Sequence, residues 1–83
     1  AASLRDPLSG RIMDVYTDQP GLQVYTSNFL DGSISGKFGK PYNKYAAVCF
    51  ETQKLPDAAN FGHFPTIELY PDQIYSATTV YAF

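Results

Sequence analysis

The stretch RIMDVYTDQPGLQVYT, at residues 11–26, sets the expectation for the fold. Two runs rich in β-branched and aromatic residues, 11–18 and 21–26, lie on either side of a turn signal, and such runs are typical of β-strands. Pro20 followed by Gly21 suits a type II turn, because glycine accepts the positive φ that the third position of this turn requires. The stretch therefore predicts a β-hairpin.

The rest of the chain repeats this pattern of short runs separated by turns. Further strands are predicted at 46–53 (AAVCFETQ), 65–70 (PTIELY) and 74–83 (IYSATTVYAF), a long excursion at 31–45, and one helical turn at 55–60. Because no sustained 3.6-residue period is present, the sequence predicts an all-β fold of the sandwich type. Five strands with apolar positions on both faces would leave one sheet without a partner. We therefore expect the 83 residues to form one incomplete part of a single sandwich domain.

Composition and charge exclude several classes of protein. The net charge is −2 and the charged residues are scattered, so no basic patch could neutralise nucleic-acid phosphates. No apolar run approaches the roughly 20 residues of a membrane-spanning helix. The N-terminal residues lack the apolar segment of a signal peptide, and the lone Cys49 cannot form an internal disulfide. We expect no nucleic-acid or membrane partner, and a cytoplasmic location.

The predicted strand at 46–53 contains the first candidate catalytic residue. Glu51 lies near the end of an otherwise apolar strand, where a carboxylate is costly unless it is paired, hydrogen-bonded or used in function. Alternation places it on one face with Ala47, Cys49 and Gln53, where the small neighbours leave room for a ligand. Burial among apolar groups would suit this carboxylate to act as a general base near neutral pH. The alternative is a solvent-facing glutamate at a strand end.

Gln23 is the second candidate, because a glutamine amide can both donate a hydrogen bond to a sugar hydroxyl and accept one from it. Alternation places it on the same face as Tyr25. The chain also contains seven Tyr and six Phe, whose flat rings would suit a sugar site as well as a sandwich core. The alternative is that Gln23 is an ordinary polar residue exposed to solvent. Its candidacy is strengthened if its strand lies beside that of Glu51, which the sequence leaves open.

The single histidine, His63, is expected to be a structural loop residue. One histidine and one cysteine make a poor metal site, and no spacing suggests zinc, so we expect no metal. A catalytic pair with Cys49 is disfavoured, because a thiol within an apolar strand is usually inert. The chain also has no phosphate-binding loop, no serine nucleophile elbow and no acidic cluster typical of a metal site.

Several segments, taken together in their order and spacing, resemble the aldose 1-epimerase family. They are SGR at 9–11, DVYT at 14–17, QPGLQVYTSNFLDG at 19–32, CFETQ at 49–53, LPDAAN at 55–60, FP at 64–65 and TTVYAF at 78–83. The resemblance covers nearly the whole chain and corresponds to the C-terminal quarter of the family. Two positions depart from it: Tyr45 stands where a histidine is frequent, and Val80 where an aromatic residue is frequent.

The resemblance implies a galactose mutarotase-like β-sandwich that interconverts the anomers of free aldohexoses, such as glucose and galactose, without a cofactor. It implies that Glu51 is the general base for the anomeric hydroxyl and that Gln23 contacts the sugar. The general acid of the family is an upstream histidine that His63 does not match. The chain is therefore expected to contain the base without the acid, to be inactive alone, and to need the N-terminal portion of the enzyme as its partner.

Two other interpretations remain open from the sequence. A mutarotase-like module could bind carbohydrate without turnover, and a purely structural β-subunit could use its aromatic residues to pack against a partner chain. The presence of both Glu51 and Gln23 argues against the first of these.

Overall fold

The computed structural model describes all 83 residues and consists mainly of short β-strands. The strands are β1 (Ala2–Arg5), β2 (Ile12–Thr17), β3 (Gly21–Tyr25), β4 (Cys49–Gln53) and β5 (Thr79–Ala82), with two 3-10 helices at Lys37–Gly39 and Ala58–Asn60. Neither of these short helices could span a membrane. The predicted all-β class is confirmed, and the predicted helical turn at 55–60 corresponds to the second 3-10 helix.

The strands form two antiparallel sheets. A three-stranded sheet has the order β1-β2-β5, and a two-stranded sheet consists of β3 and β4. In the three-stranded sheet, Val15 of β2 lies opposite Ala2 on one side and opposite Tyr81 on the other. Val15 is almost fully buried, so the centre of this sheet is also the best-covered part of the chain.

The predicted hairpin at 11–26 is wrong, although both of its strands form. β2 pairs with β1 and β5, whereas β3 pairs with β4, so the connection between β2 and β3 crosses from one sheet to the other. Gly21 does not have a positive φ; it is the first residue of β3. A Cβ atom at Gly21 would lie 3.0 Å from Leu55 Cδ2 and 3.2 Å from the Gln53 carbonyl oxygen. The glycine is needed here for close approach of the chain rather than for a turn.

Three strand predictions also need correction. The run at 65–70 forms no ladder; the Tyr70 amide instead donates to the Gln73 side chain at 2.9 Å. Only Thr79–Ala82 of the predicted strand 74–83 is extended and paired, and the strand predicted at 46–53 begins at Cys49. The excursion at 31–45 contains no strand, as predicted, and its only pairing is an isolated bridge between Ser35 and Pro41.

The sequence analysis missed strand β1, which pairs with β2 across a tight loop. The Asp6 amide donates to the Arg11 carbonyl at 2.9 Å, and the Gly10 amide donates to the Asp6 carbonyl at 2.9 Å. The Asp6 carboxylate accepts hydrogen bonds from the amides of Leu8 and Ser9 and from the Ser9 hydroxyl. The Ser9 hydroxyl, with these amides, lowers the pKa of Asp6 below its ordinary value.

The chain covers very little of its own apolar surface. Val15, Ser27 and Ala58 are the only buried residues. The accessible surface is 6811 Å², whereas a compact protein of 9.2 kDa exposes about 4,900 Å². The radius of gyration is 16.8 Å, against roughly 12 Å for a compact domain of this length. The two small sheets therefore leave much of their apolar surface uncovered within this chain.

Candidate active site

The pairing of β3 with β4 brings the two candidate residues together. Gln23 lies directly opposite Glu51, in a register of five residue pairs that runs from Gly21 with Gln53 to Tyr25 with Cys49. Directly opposite residues in an antiparallel pair have Cβ atoms about 4.5–5.5 Å apart and project from the same face. The strands of Gln23 and Glu51 therefore lie side by side, which the sequence analysis had left open.

The face that carries this pair is open. Gln23, Cys49 and Glu51 are exposed, whereas Phe50 and Thr52, which alternate with them along β4, are half-buried. From Cys49 to Thr52 this alternation agrees with the predicted sides of β4, whereas Gln53, predicted on the side of Glu51, is half-buried. Two expectations about the surroundings are wrong: Glu51 is not buried among apolar groups, and Cys49 is an exposed first residue of β4 rather than a thiol within an apolar strand. We use the term open face for the side of β3 and β4 that carries Gln23 and Glu51.

An aromatic pair lies at one end of the open face. Tyr25 is two residues after Gln23, and its ring stacks on Phe29 with centroids 6.3 Å apart and planes inclined by 19°. Phe29 is largely exposed. The sequence analysis placed Tyr25 on this face but missed Phe29. The only sequence signal for Phe29 was its position four residues after Tyr25, near the end of the strand. A carboxylate, an amide and an apolar ring therefore project from one small surface.

This surface is not enclosed by the chain. The three concave pockets lie elsewhere, around the β1–β2 loop with Phe83 and around the segment from Ala58 to Glu68. No residue of β3 or β4 lines any of them. The groups of the open face can bind and exchange protons, but the chain provides no wall above them.

His63 lies apart from these groups in an aromatic cluster. It is in a loop, as predicted, with ring centroids 5.8 Å from Phe61 and 4.5 Å from Phe64, both in edge-to-face contact. These contacts explain a packing role for the histidine ring. The structure has no group of three or more His, Cys, Asp or Glu residues suited to a metal ion.

Comparison with known proteins identifies the family. The family model described as aldose 1-epimerase matches residues 1–82. The chain belongs to the aldose 1-epimerase family. This confirms the resemblance noted in the sequence, and the antiparallel strands agree with the β-sandwich of the family.

Individual relatives show the same relationship. The chain is 52% identical to the galactose mutarotase of Bos taurus over 75 residues, which is 90% of this chain and 22% of the relative. It is 50% identical to the galactose mutarotase of Rattus norvegicus over 82 residues, which is 99% of this chain and 24% of the relative. It is 36% identical to the aldose 1-epimerase of Escherichia coli (strain K12) over 73 residues, which is 86% of this chain and 21% of the relative.

This aldose 1-epimerase family chain thus spans less than a quarter of the length of the curated relatives that it matches. Its position at the C-terminal end of the family, and the roles of Glu51 and Gln23, stay predictions. The open face with its register pair is the part of the chain on which those roles depend.

Proposed function

We propose that the chain is part of an aldose 1-epimerase that interconverts the α and β anomers of free aldohexoses such as glucose and galactose. In this proposal Glu51 is the general base and Gln23 binds the sugar. The observation that supports it most is the position of Gln23 directly opposite Glu51 on adjacent strands. Directly opposite residues have Cβ atoms about 4.5–5.5 Å apart. At this distance a carboxylate base and an amide that both donates and accepts hydrogen bonds can reach neighbouring oxygens of one pyranose ring.

The proposed reaction begins when the Glu51 carboxylate accepts the proton of the anomeric hydroxyl. The electron pair of that O–H bond forms the C1=O bond, and the bond between C1 and the ring oxygen breaks. The ring oxygen keeps the electron pair of its broken bond to C1 and takes a proton from a general acid. Rotation about C1–C2 and reclosure from the other side give the opposite anomer, with the two proton transfers reversed. No electrons are lost or gained overall, so a base and an acid are sufficient.

Gln23 would hold the sugar beside the base during this exchange. Its side-chain amide donates and accepts at once, so it can bind a hydroxyl in either role. The stacked rings of Tyr25 and Phe29 would offer an apolar surface to the C–H face of the pyranose.

The remaining parts of the site would come from outside these 83 residues. His63 is held in its own aromatic cluster, and Glu51 is exposed with no wall above it. The general acid and the enclosure of the sugar are therefore assigned to the further three-quarters of a family member, in the same polypeptide or in a second one. The chain alone is expected to lack activity.

The test is mutarotation by the complete enzyme that contains this chain. Polarimetry with α-D-galactose should show that Glu51→Gln lowers kcat by about 10²–10⁴-fold, because general base catalysis contributes an acceleration of this size. Glu68→Gln is the matched control, since Glu68 is the only other glutamate and lies outside the strands. Gln23→Leu should raise KM by about 5–30-fold, the loss of one or two hydrogen bonds to the sugar. Unchanged turnover in Glu51→Gln would exclude the proposed role.

A second outcome would favour the non-catalytic alternative. If the parent protein binds sugar, as judged by tyrosine fluorescence, but does not accelerate mutarotation, the chain belongs to a carbohydrate-binding module. Loss of turnover in Glu51→Gln with sugar binding retained would instead support the enzyme.

A further inference from the structure

Strand β5 contacts β4 at the residue before Glu51 and at the residue after it. The Thr79 and Thr52 hydroxyl oxygens lie 2.7 Å apart, and the Tyr81 hydroxyl donates to the Phe50 carbonyl oxygen at 3.0 Å. Thr79 and Tyr81 are two residues apart on β5, so they project from the same face. These two contacts join the two sheets of the chain and bracket Glu51.

The hydroxyl contact at Thr79 belongs to a longer chain of hydrogen bonds whose direction can be derived. Thr17 Oγ1 donates its single proton to the Thr78 carbonyl at 3.1 Å and accepts from the Gln19 amide at 3.1 Å. Thr17 Oγ1 is also 3.1 Å from Thr79 Oγ1, and since its proton is already used, Thr79 must be the donor there. Thr52 must then donate to Thr79. The chain runs from Thr52 through Thr79 and Thr17 to a backbone carbonyl, and each bond polarises the next.

The position of β4 depends on few other interactions. β4 and β3 form a two-stranded sheet, and a sheet of this size is marginally stable by itself. Besides the ladder with β3, the strand is held by the contacts of Thr79 and Tyr81. The contact of Thr79 with the Thr52 side chain lies on the side of β4 opposite the open face, whereas the contact of Tyr81 is made to a backbone carbonyl of β4.

We propose that Thr79 and Tyr81 are positioning residues that hold the backbone of β4 on both sides of Glu51 and so fix its carboxylate for proton transfer. This inference rests on the proposed role of Glu51 as the general base. Proton transfer requires the base within hydrogen-bond reach of the anomeric hydroxyl, and a misplacement of about 1 Å can cost about 10²-fold in rate. Gln23 lies on β3 and is not held by β5. Loss of the tether therefore affects turnover more than sugar binding.

The test removes the hydroxyl groups in the complete enzyme without changing side-chain shape. Thr79→Val and Tyr81→Phe should each lower kcat by about 5–50-fold, a fraction of the loss expected for a full ångström of displacement. KM should stay within about twofold, because the sugar contact of Gln23 is kept. Thr79→Ser, which keeps the hydroxyl, should restore kcat to within about twofold of the parent. Thr66→Val is the matched control, because the Thr66 hydroxyl accepts only from the Glu68 amide.

A general loss of stability is separated from positioning by a second control. Ala58→Gly removes a buried methyl group from the second 3-10 helix, outside β4 and β5, and leaves the β5–β4 hydrogen bonds in place. All variants are assayed well below their melting temperatures, with circular dichroism as the check on folding. Ala58→Gly should lower Tm and keep kcat, whereas Thr79→Val should lose kcat at a temperature where it is fully folded.

Several results would overturn the inference. Parental kcat in both Thr79→Val and Tyr81→Phe would show that β5 does not position the base. Failure of Thr79→Ser to keep kcat would show that the Thr79 hydroxyl alone does not explain the effect, and a rise of KM equal to the fall of kcat would assign it to sugar binding. The proposed function is tested separately: if Glu51→Gln abolishes turnover while these variants do not, only the positioning role fails.

Discussion

Studying the 83-residue chain in isolation tests whether its fold needs other protein surface to cover its apolar residues. The accessible surface of 6811 Å² exceeds that of a compact protein of the same mass by about 1,900 Å². If a little over half of this excess is apolar, as is usual for protein surfaces, about 1,100 Å² of apolar area is left uncovered. At about 25 cal/mol per Å², its burial would contribute roughly 25–30 kcal/mol. This is larger than the 5–15 kcal/mol or so by which native domains are stable.

We therefore expect the isolated chain to show no cooperative unfolding transition. The assay is urea titration followed by near-ultraviolet circular dichroism of the tyrosines, together with amide hydrogen exchange of β2 and β3. Native mass spectrometry establishes that the sample is monomeric, because self-association would cover the same surface. A monomer that unfolds cooperatively with a free energy of about 5 kcal/mol or more, and that protects the Val15 amide, would refute the reasoning.

Two local predictions follow from the structure. Gly21→Ala in the complete protein that contains this chain should lower the free energy of unfolding by about 1–3 kcal/mol, because the added methyl group meets the backbone and a leucine side chain. Gly62→Ala, where the added methyl group meets nothing within 4 Å, is the control and should change stability little in a denaturant titration. Ser9→Ala should raise the pKa of Asp6 toward its ordinary value of 3.8, since the Ser9 hydroxyl is the main cause of its lowering; an NMR titration of the Asp6 carboxyl carbon measures this. Because the folded pKa is the lower one, any stability from Asp6 is present above its unfolded pKa and is lost as the pH falls through the folded pKa. Ser9→Ala should weaken that dependence, and an unchanged Asp6 titration would contradict the assignment.

The strands that were predicted correctly are those whose residues favour strands and whose partners exist in the chain. β2 and β3 are rich in β-branched and aromatic residues and both find ladder partners. The run at 65–70 has the same composition, but no strand of the chain lies beside it and its backbone bonds locally through Gln73. β1 (ASLR) has weak strand character and forms because the Asp6 loop returns it to β2. Strand formation at these positions depends on neighbours that composition does not report.

Some residues of the candidate site could be identified from the sequence, and others only from the structure. Glu51 and Gln23 could be singled out because a carboxylate and an amide are unusual in apolar strands, and because the surrounding segments resemble a family. Thr79 and Tyr81 could not be singled out, since nothing in the sequence relates them to Thr52 and Phe50, which lie 27 and 31 positions earlier. Their importance depends on the 2.7 Å and 3.0 Å contacts with β4.

By itself, the sequence determined the all-β class, the family, and the face of β4 on which Glu51 lies, because strand alternation and residue preference are local properties. Only the tertiary structure decided that β2 and β3 belong to different sheets and that Gln23 lies opposite Glu51. It also decided that β5 reaches β4 on both sides of Glu51. Each of these depends on which strands share hydrogen-bond ladders, and ladder partners are chosen by burial and register across long sequence separations, not by the residues of either strand alone.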